Sequence, residues 1–427
     1  MLDIKLIRTD PEGVRAALGR RGSKAEDALG RLLELDRQRR ESLSLLEARR
    51  ALRNQVSEEI AQMKRQGKDV ADKIEAMRAV GEEIKALEAR VREIEAALEE
   101  ELLKVPNLPD PTAPEGGEEN SVVLRHWGTP PRFDFPPLDH MALAELHDFI
   151  DLERAARTSG SRFAYLKGDL VLLQFALIRY AIEKLTNKGF RPVIVPVLVR
   201  DEAMYGTGFF PTDMNQVYRV EADELNLVGT SEVSLAALHM DEILNEDDLP
   251  LRYVGYSTCF RREAGAAGKD TRGIFRVHQF DKVEMFSFCH PERSREEHDF
   301  MLSIQEEILQ ELGIPYRAVN IAAGDLGASA AKKYDLEAWL PSEGRYREVT
   351  SCSNCTDYQA RRLRTRAKGE RGSPYLVHTL NGTVVALGRT MIAIMENYQT
   401  REGEVVVPEA LKPFMPAGMH RLGQPKA

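Results

Sequence analysis

The segment spanning residues 28–104 constrains the fold most, because it contains no proline and its apolar residues follow a helical period. In its second half they recur every three or four positions: Ile74, Met77, Val80, Ile84, Leu87, Val91, Ile94 and Leu98. The first half carries a less regular set: Leu32, Leu35, Leu43, Leu46, Val56, Ile60 and Met63. Each pattern predicts a long helix with one apolar seam close to a heptad repeat.

A short polar break, Gln66-Gly67-Lys68-Asp69, separates the two halves, and glycine commonly ends a helix. Two helices joined by a tight turn run antiparallel, so the segment is predicted to be a helical hairpin. With roughly 35 residues per helix, the arm would extend on the order of 50 Å. By itself, a hairpin of this kind could equally serve as a dimerisation element or a spacer.

Charge distinguishes the two predicted helices. The second is rich in glutamate from Glu82 to Glu101, whereas the first is basic. Its basic residues are Arg37, Arg39, Arg40, Arg49, Arg50, Arg53, Lys64 and Arg65. The net charge of −9 disfavours indiscriminate binding to nucleic acid, but a local basic face can still bind a phosphate backbone. Solvated surface charge is the alternative interpretation for each arginine taken singly.

The remaining sequence is organised by composition. Residues 105–120 are rich in proline and then in glycine, which is typical of a linker. We therefore predict an N-terminal domain over 1–104, a linker over 105–120 and a larger domain over 121–427. The 43% hydrophobic content of the 427 residues can fill a core, and no apolar run is long enough to span a membrane. Four cysteines favour a reducing cytoplasm over a disulfide framework.

Beyond the linker, helical and strand patterns mix without a regular βαβα rhythm, so an α+β fold is expected and a Rossmann-type sheet is not. Helices are predicted near Leu170–Lys188, Arg295–Leu312, Thr356–Lys368 and Arg389–Tyr398, and strands at Arg252–Arg261 and Phe275–Phe288. At the other end of the chain, Leu2–Leu18 is predicted to form a strand and a short helix packed at the base of the arm.

The loop between the two predicted strands contains Gly268-Lys269-Asp270-Thr271, which invites comparison with a Walker phosphate loop. We reject that interpretation, because the glycines of the loop are too closely spaced and a strand rather than a helix follows. The flanking Phe260-Arg261-Arg262-Glu263 offers different chemistry. Arg261 can place a planar guanidinium on a phosphate or carboxylate, and Glu263 can accept a hydrogen bond from an adenine amino group.

Phe-Arg-x-Glu before such a loop resembles motif 2 of the class II aminoacyl-tRNA synthetases, and the run from Cys259 to Glu284 resembles the seryl-tRNA synthetases in particular. Further segments agree in the same order: Gly189-Phe190-Arg191-Pro192 to Pro196 (motif 1), Met204-Tyr205-Gly206-Thr207-Gly208, Thr230-Ser231-Glu232, Glu348 to Cys355, Gln359 to Arg362, and Gly388-Arg389-Thr390 to Gln399 (motif 3). The resemblance implies an antiparallel sheet flanked by helices, a homodimer formed through motif 1, and an N-terminal coiled-coil hairpin that binds tRNA.

The resemblance also implies an ATP site. The matching positions are Arg261, Arg262, Glu263, Val277, Phe280, Glu348, Val349, Thr350, Ser351 and Arg389. In the family, the arginine matching Arg261 bridges the serine carboxylate and the α-phosphate. The arginine matching Arg389 holds the γ-phosphate and covers the adenine opposite Phe280. Glu348 and Ser351 match the positions that hold a divalent ion, for which Mg²⁺ is expected, and Arg261, Arg389 and Glu348 are the implied catalytic residues.

For the amino acid, the resemblance implies a pocket built by Thr230, Glu232, Arg261, Glu284 and Thr383. Glu232 and Thr230 match the positions that receive the α-ammonium group, and Glu284 and Thr383 match those around the side-chain hydroxyl. A buried carboxylate that expects a hydroxyl donor penalises alanine and glycine. Many family members have small residues after the position of Thr383, whereas this chain has Val384 and Val385.

The implied function is that of a cytoplasmic serine–tRNA ligase, which uses ATP and Mg²⁺ to charge tRNA(Ser) and also tRNA(Sec). Two alternatives stay open at this point: a ligase that delivers a small amino acid to a carrier protein, and a non-catalytic paralogue. Carrier ligases lack the long hairpin and use zinc. A paralogue would have lost a charged residue such as Arg261 or Arg389, and both are present.

Other chemistry-bearing residues receive structural interpretations. Cys352-x-x-Cys355 lacks a second pair at zinc-finger spacing, so two buried or weakly exposed thiols are expected. His278 and His378 lie in strand-like segments, and the implied reaction needs no histidine base. Both are expected to be core or hydrogen-bonding residues.

Overall fold

The structure is a computed structural model that describes residues 1–22, 27–264, 268, 270 and 272–423. Lys269 and Thr271 of the rejected phosphate-loop comparison therefore lie outside the described residues. The chain divides into two compact units, Leu2–Pro106 and Asn107–Ala427 with Met1. The helices of the first unit are α1 (Ile4–Thr9), α2 (Pro11–Gly19), α3 (Asp27–Arg65) and α4 (Ala71–Lys104).

The second unit mixes helices and strands. Its helices are α5 (His140–His147), α6 (Leu152–Ser159), α7 (Asp169–Asn187), α8 (Asp201–Thr207), α9 (Glu232–Ala236), α10 (Ser294–Glu311), α11 (Tyr358–Leu363) and α12 (Leu387–Asn397). Its strands are β1 (Val122–Trp127), β2 (Ile150–Asp151), β3 (Tyr165–Leu166), β4 (Arg191–Ile194), β5 (Leu198–Val199), β6 (Tyr218–Val220), β7 (Leu225–Leu227), β8 (Ile243–Asn245), β9 (Leu251–Phe260), β10 (Gln279–Cys289), β11 (Tyr316–Asn320), β12 (Lys332–Leu340), β13 (Arg345–Asn354), β14 (Arg366–Lys368), β15 (Tyr375–Leu376), β16 (His378–Ala386), β17 (Val405–Val406) and β18 (Arg421–Leu422).

Helices α3 and α4 form the predicted antiparallel hairpin. The turn between them contains Gly67 with φ +70°, a left-handed conformation that glycine adopts without steric penalty. The seam on α4 buries Val80, Ile84, Val91, Ile94, Leu98 and Leu102, whereas Ile74 near the turn is 40% exposed. Apolar contact along one stripe, rather than intrinsic helix propensity, therefore holds the two long helices together.

The segment before the hairpin contains two helices, so the prediction of a strand followed by a helix over Leu2–Leu18 is wrong. The side chain of Asp3 accepts a hydrogen bond from the backbone of Lys5 and caps α1. Asp10 caps α2 in the same way, with Pro11 at its first position. The alternation of apolar and polar residues at the N-terminus favours a strand, but the two caps favour helices instead. Each cap satisfies backbone N–H groups that have no partner in the first turn of a helix.

One large sheet organises the second unit. Among the described residues its eight strands follow the order β1-β11-β12-β13-β16-β10-β9-β4. Neighbours are antiparallel except β4 and β9, which pair in parallel. Helices α7, α10 and α12 pack against the sheet around a core that includes Leu173, Ile304 and Met391. The predicted antiparallel sheet flanked by helices is thus confirmed, with one parallel pair at its edge.

Two predicted boundaries were wrong. The second strand of the central pair begins at Gln279, not Phe275, so the residues before it are loop. Helix α11 ends at Leu363 rather than Lys368. Arg364, with φ +57°, turns the chain into β14, which pairs in parallel with β8. Long-range strand pairing overrides the local helical pattern there.

No helix in the described part of the chain has both the length and the apolar character needed to cross a membrane.

Candidate active site

A cavity of about 210 Å³ opens on the central strands, and most of the predicted ATP-site residues line it. They are Arg261, Glu263, Val277, Phe280, Glu348, Val349, Thr350, Ser351 and Arg389. Thr383 and Lys282 line the same cavity from the direction of the predicted serine pocket. Arg262 does not line it, and its backbone N–H donates to the Gln216 carbonyl at 2.8 Å instead.

The guanidinium groups of Arg261 and Arg389 are held in place by hydrogen bonds and ring contacts within the cavity. Arg261 follows β9 directly, and its Nε donates to the Gly229 carbonyl at 3.2 Å. Its guanidinium lies 5.2 Å from the centre of the Phe280 ring. Arg389, near the start of α12, donates to the backbone carbonyl of Glu348 at 3.1 Å and lies 3.1 Å from its carboxylate. Both guanidinium groups are therefore oriented before any phosphate binds.

Phe275 and Arg276 also line the cavity, although the sequence analysis did not assign either of them to the site. The ring of Phe275 lies 4.6 Å from the guanidinium of Arg389 and 4.0 Å from that of Arg347. Arg276 pairs with Glu263 at 2.6 Å. In this structure Arg389 thus contacts Phe275 rather than Phe280. The expected placement of adenine between Arg389 and Phe280 stays a prediction.

Glu348 and Ser351 lie on β13 and both line the cavity. Burial raises the pKa of the Glu348 carboxyl, but the cations of Arg389 and Lys333 outweigh it and lower that pKa, so the carboxylate is ionised. Over the described residues, no three acidic, histidine or cysteine side chains converge on a metal-binding point. A hard cation at this place would therefore depend on phosphate and water oxygens, as Mg²⁺ commonly does.

The predicted serine residues converge on a buried polar pocket. Glu232, the first residue of α9, is 8% exposed. Its carboxylate accepts hydrogen bonds from Gln359 Nε2 at 2.8 Å and Asn381 Nδ2 at 3.0 Å. Burial and the neighbouring charge of Glu284 raise the pKa of Glu232 to about 7. The pocket therefore contains a carboxylate whose charge is poised near neutral pH.

The side chain that organises this pocket, Lys282, was not predicted. It is 6% exposed, and its Nζ donates to Thr230 Oγ1 at 2.7 Å and lies 2.5 Å from Glu284 Oε2. A signal was available, because Phe280, Lys282 and Glu284 alternate along β10 and must share one face of the strand. Gln359 lies in a segment that resembles the family, but neither Gln359 nor Asn381 was assigned a role from the sequence.

A β-bulge sets the position of Thr383. In the β10–β16 pairing, Val283 lies opposite Val385 and Glu284 opposite Thr383, so Val384 is the extra residue. Thr383 Oγ1 consequently reaches Glu284 Oε2 at 3.3 Å. Val384 is buried. Although many family members have a small residue where this chain has Val384, the bulge keeps the Thr383 hydroxyl facing the Glu284 carboxylate.

The cysteines and histidines lie in structural surroundings. Cys352 and Cys355 are fully buried. His278 Nδ1 lies 2.8 Å from the Arg261 carbonyl oxygen, and His378 Nδ1 lies 2.8 Å from Ser294 Oγ. The second contact joins two elements of the fold, whereas the first steadies the backbone of a site residue.

Several basic residues of α3 are neutralised by acidic neighbours. Arg37 pairs with Glu34 and Glu41, and Arg40 pairs with Asp36, all on α3 itself. Arg39, Arg49 and Arg50 pair across the hairpin with Glu95, Glu83 and Glu88 at 2.9, 2.9 and 2.7 Å. Toward the turn lie cations that make no ion pair within the described residues: Arg53, Lys64, Arg65 and Lys68. The basic face is therefore partly neutralised by α4 and retains its free charge near the turn.

Comparisons with known proteins agree with this geometry. A model described as the tRNA synthetase class II core domain (G, H, P, S and T) matches residues 216–398, and the seryl-tRNA synthetase N-terminal domain matches residues 1–109. The serine–tRNA ligase of Acidothermus cellulolyticus is 51% identical over 97% of this chain and 98% of its own length. That of Thermobifida fusca is 48% identical over 97% of both chains.

Solved structures give the same result. The seryl-tRNA synthetase of Pyrococcus horikoshii, complexed with ATP, superimposes with a TM-score of 0.95 at 42% identity and covers 100% of both chains. The cytoplasmic serine–tRNA ligase of Naegleria fowleri, in complex with AMP, has a TM-score of 0.89 at 37% identity and covers 100% of this chain and 99% of its own.

Proposed function

This chain belongs to the seryl-tRNA synthetase family, and we propose that the residues assembled above divide the family's reaction between them. The chain is a ligase that activates serine with ATP and transfers it to tRNA. The observation that supports our assignment is a single cavity lined at one end by Arg261, Arg389 and Glu348 and at the other by Lys282 and Thr383. Guanidinium groups that can bind phosphates therefore lie next to a small acidic pocket that can bind an amino acid.

Activation requires the serine carboxylate to attack the α-phosphorus of ATP in line, with pyrophosphate leaving. The nucleophile is already ionised, so no general base is needed and catalysis consists of positioning and charge neutralisation. We assign the contact between carboxylate and α-phosphate to Arg261. Arg389 receives the γ-phosphate, and the ring of Phe280 provides a face for adenine. Glu263 is assigned to the adenine amino group.

We assign Mg²⁺ binding to Glu348 and Ser351, which both line the cavity. The ionised state of Glu348 and the hard oxygen donors suit this cation. A bound ion would supply positive charge against the phosphates. Arg389 contacts the same carboxylate, so it holds Glu348 in place for this task.

Serine is recognised by charge at one end and by a hydroxyl at the other. Glu232 is assigned to the α-ammonium group, and Glu284 with Thr383 to the side-chain hydroxyl. Thr230 Oγ1 accepts from Lys282 Nζ at 2.7 Å and from the Glu232 backbone at 3.2 Å. Its two lone pairs are therefore occupied in this structure, so Thr230 can receive the α-ammonium group together with Glu232 only when one of these two donors gives way. Alanine or glycine would leave Glu284 without its hydroxyl partner.

A homodimer through motif 1 is supported by exposed apolar side chains on α7 and β4. Ile194 is 88% exposed, Phe175 60% and Leu172 37%. Strand β4 is also an edge of the large sheet, where a second copy could cover both the unpaired backbone and the apolar surface.

We assign tRNA binding to the N-terminal domain, residues 1–104, and catalysis to residues 121–427, joined by the linker 105–120. The partners proposed for the arm are tRNA(Ser) and tRNA(Sec), since an arm reads RNA by shape and backbone more than by bases. The reaction is assigned to the cytoplasm, where the four buried cysteines would stay reduced.

Pyrophosphate exchange, measured with each of the twenty amino acids in the absence of tRNA, tests this function. A strong signal with serine alone is expected. A signal with alanine or glycine would support the carrier-ligase alternative, and the absence of any signal would support a non-catalytic paralogue.

A further inference from the structure

One buried carboxyl group beside the proposed metal position has no role in the assignments above. Asp335, on β12, is 6% exposed, and aspartate is rarely buried to this degree without partners. Its Oδ2 lies 3.3 Å from Lys333 Nζ. Its Oδ1 is buried and accepts no hydrogen bond within the described residues. A buried carboxylate oxygen without a donor is costly, so a donor that the described chain does not supply is expected there.

The strand register places Asp335 beside the residues assigned to Mg²⁺. In the β12–β13 pairing, Asp335 lies opposite Ser351, and Glu337 lies opposite Glu348. Val349 is the extra residue between the two pairs. This bulge brings Glu348 and Ser351, which are three positions apart, to the same face of β13. Residues that pair directly share a face of the sheet, so the side chain of Asp335 lies on the side of the sheet where Ser351 and Glu348 line the cavity.

The charges around Asp335 indicate the kind of donor that is missing. Burial and the neighbouring charge of Glu348 raise the pKa of the Asp335 carboxyl well above its usual range, and Lys333 offsets this only in part. A further positive charge nearby would favour the ionised form of both carboxyl groups. Lys333 supplies its charge from the Oδ2 side. The geometry therefore favours a cation, or a donor polarised by a cation, on the Oδ1 side.

A water molecule bound to the metal ion meets this requirement. Mg²⁺ commonly keeps several water molecules when it binds to protein and phosphate, and a hydrogen bond to an ionised acceptor is a strong one. Within the described residues, no three acidic, histidine or cysteine side chains converge on one metal-binding point, which favours contact through water over direct coordination by Asp335.

We propose that Asp335 Oδ1 accepts a hydrogen bond from a water molecule in the coordination shell of the divalent cation assigned to Glu348 and Ser351. Asp335 is then a positioning residue, which acts through the coordination shell and touches neither ATP nor serine. The inference rests on the proposed function and adds a residue to its metal site.

Binding of Mn²⁺ to the full-length protein tests this role separately from catalysis. The measurement is electron paramagnetic resonance in the presence of α,β-methylene-ATP. Asp335→Asn keeps the shape of the side chain but removes its charge. We expect the Mn²⁺ affinity of this variant to fall by roughly tenfold to a hundredfold, the range found when an outer-shell partner of a metal is removed. Binding of the same analogue in the presence of EDTA should be unchanged, because Asp335 touches no nucleotide.

The matched control is Asp325→Asn, at an exposed aspartate whose carboxyl group also experiences the charges of Lys333 and Glu348. This change removes the same charge without removing a buried acceptor, so the Mn²⁺ affinity should change little. Thermal unfolding of both variants separates loss of a metal contact from loss of stability. If Asp335→Asn does not fold, Asp335→Ser takes its place, because the smaller side chain leaves room for water.

Unchanged Mn²⁺ affinity in Asp335→Asn would overturn the proposal, because Asp335 would then contact only an ordinary buried water. Equal losses in Asp335→Asn and Asp325→Asn would overturn it too, because a charge at any nearby position would then be sufficient. Glu348→Gln should weaken Mn²⁺ binding whether or not Asp335 takes part. If it does not, the metal site of the proposed function fails, and that outcome is distinct from a failure at Asp335 alone.

Discussion

The hairpin and the catalytic unit use opposite charges in opposite ways. In the hairpin, pairs such as Arg50–Glu88 lie on the surface, with side chains 49% and 34% exposed. In the serine pocket, Lys282 and Glu284 lie 2.5 Å apart with side chains 8% and 2% exposed. Water screens the charges of the exposed Arg50–Glu88 pair. In the buried Lys282–Glu284 pair, removal of one partner leaves the other as an unpaired charge that water cannot solvate. Single substitutions should therefore have small, salt-dependent effects in the arm and large effects in the pocket.

The sharpest expected effect is in the catalytic cavity. Arg261→Ala or Arg389→Ala should reduce serine-dependent pyrophosphate exchange by more than about 10²-fold, since loss of one preorganised group that stabilises transition-state charge has effects of this order. The fold should persist, because both side chains line a cavity rather than the core. Thermal unfolding should show an unchanged midpoint in each variant. Near-normal exchange would refute the assignment, and Arg401→Ala, at a surface arginine outside this cavity, is the matched control.

Removal of the arm should affect only one of the two activities: tRNA charging should be lost, and serine activation should remain. Replacing Leu32–Leu98 by a short flexible linker should leave pyrophosphate exchange close to wild type but abolish charging of tRNA(Ser). The reason is that activation uses residues of the catalytic unit alone, whereas tRNA binding is assigned to the hairpin. Exchange and charging should be measured on the same preparation. Unchanged charging would show that the arm does not hold the tRNA.

An intermediate effect is expected for Lys282→Met. Without the cation, Glu232 and Glu284 are two neighbouring buried carboxyl groups with no compensating charge, so the pKa of Glu232, which burial and Glu284 already raise, should rise further. KM for serine should increase by roughly 10- to 100-fold, whereas KM for ATP should change little.

The pH profile distinguishes this role of Lys282 from general damage. In the wild type, burial raises the pKa of Glu232 to about 7. The carboxyl is neutral below that pH, so kcat/KM for serine should rise as the pH increases through about 7. In Lys282→Met the rise should shift to higher pH, and Lys282→Arg should partly restore the wild-type profile. An unshifted profile would contradict the role given to Lys282.

The smallest effects are expected in the arm. Lys64→Ala with Arg65→Ala removes two cations that have no ion pair within the described residues. This double variant should weaken tRNA binding several-fold and reduce the salt dependence of the affinity by roughly one unit of slope per lost phosphate contact. Arg49→Ala, which removes a charge already paired with Glu83, should change affinity and slope less. Equal effects of both changes would mean that pairing across the hairpin does not decide which cations meet the tRNA.

Local patterns were sufficient to predict much of this fold. The seam from Ile74 to Leu98 and the break at Gly67 predicted the hairpin, because helix periodicity and helix ends depend on neighbouring residues. Local patterns also gave a wrong prediction at Leu2–Leu18. The alternation of apolar and polar residues there favoured a strand, but two aspartate caps favoured helices. Local patterns misled again after Leu363, where pairing with the distant β8 ended the helix.

Within the site, the sequence by itself determined which residue types are present and their order, and the resemblance of those motifs to a family predicted Arg261, Glu348 and Arg389 as the residues at the cavity. Only the tertiary structure decided that Lys282 joins Thr230, 52 positions away in the chain, and that Gln359 reaches Glu232, 127 positions away. The physical reason is that burial and charge pairing depend on which distant segments meet, whereas periodicity, caps and motif spacing are local. A further cavity beside Arg261, lined also by Phe209 and Gly229, likewise exists only because separate segments of the chain meet there.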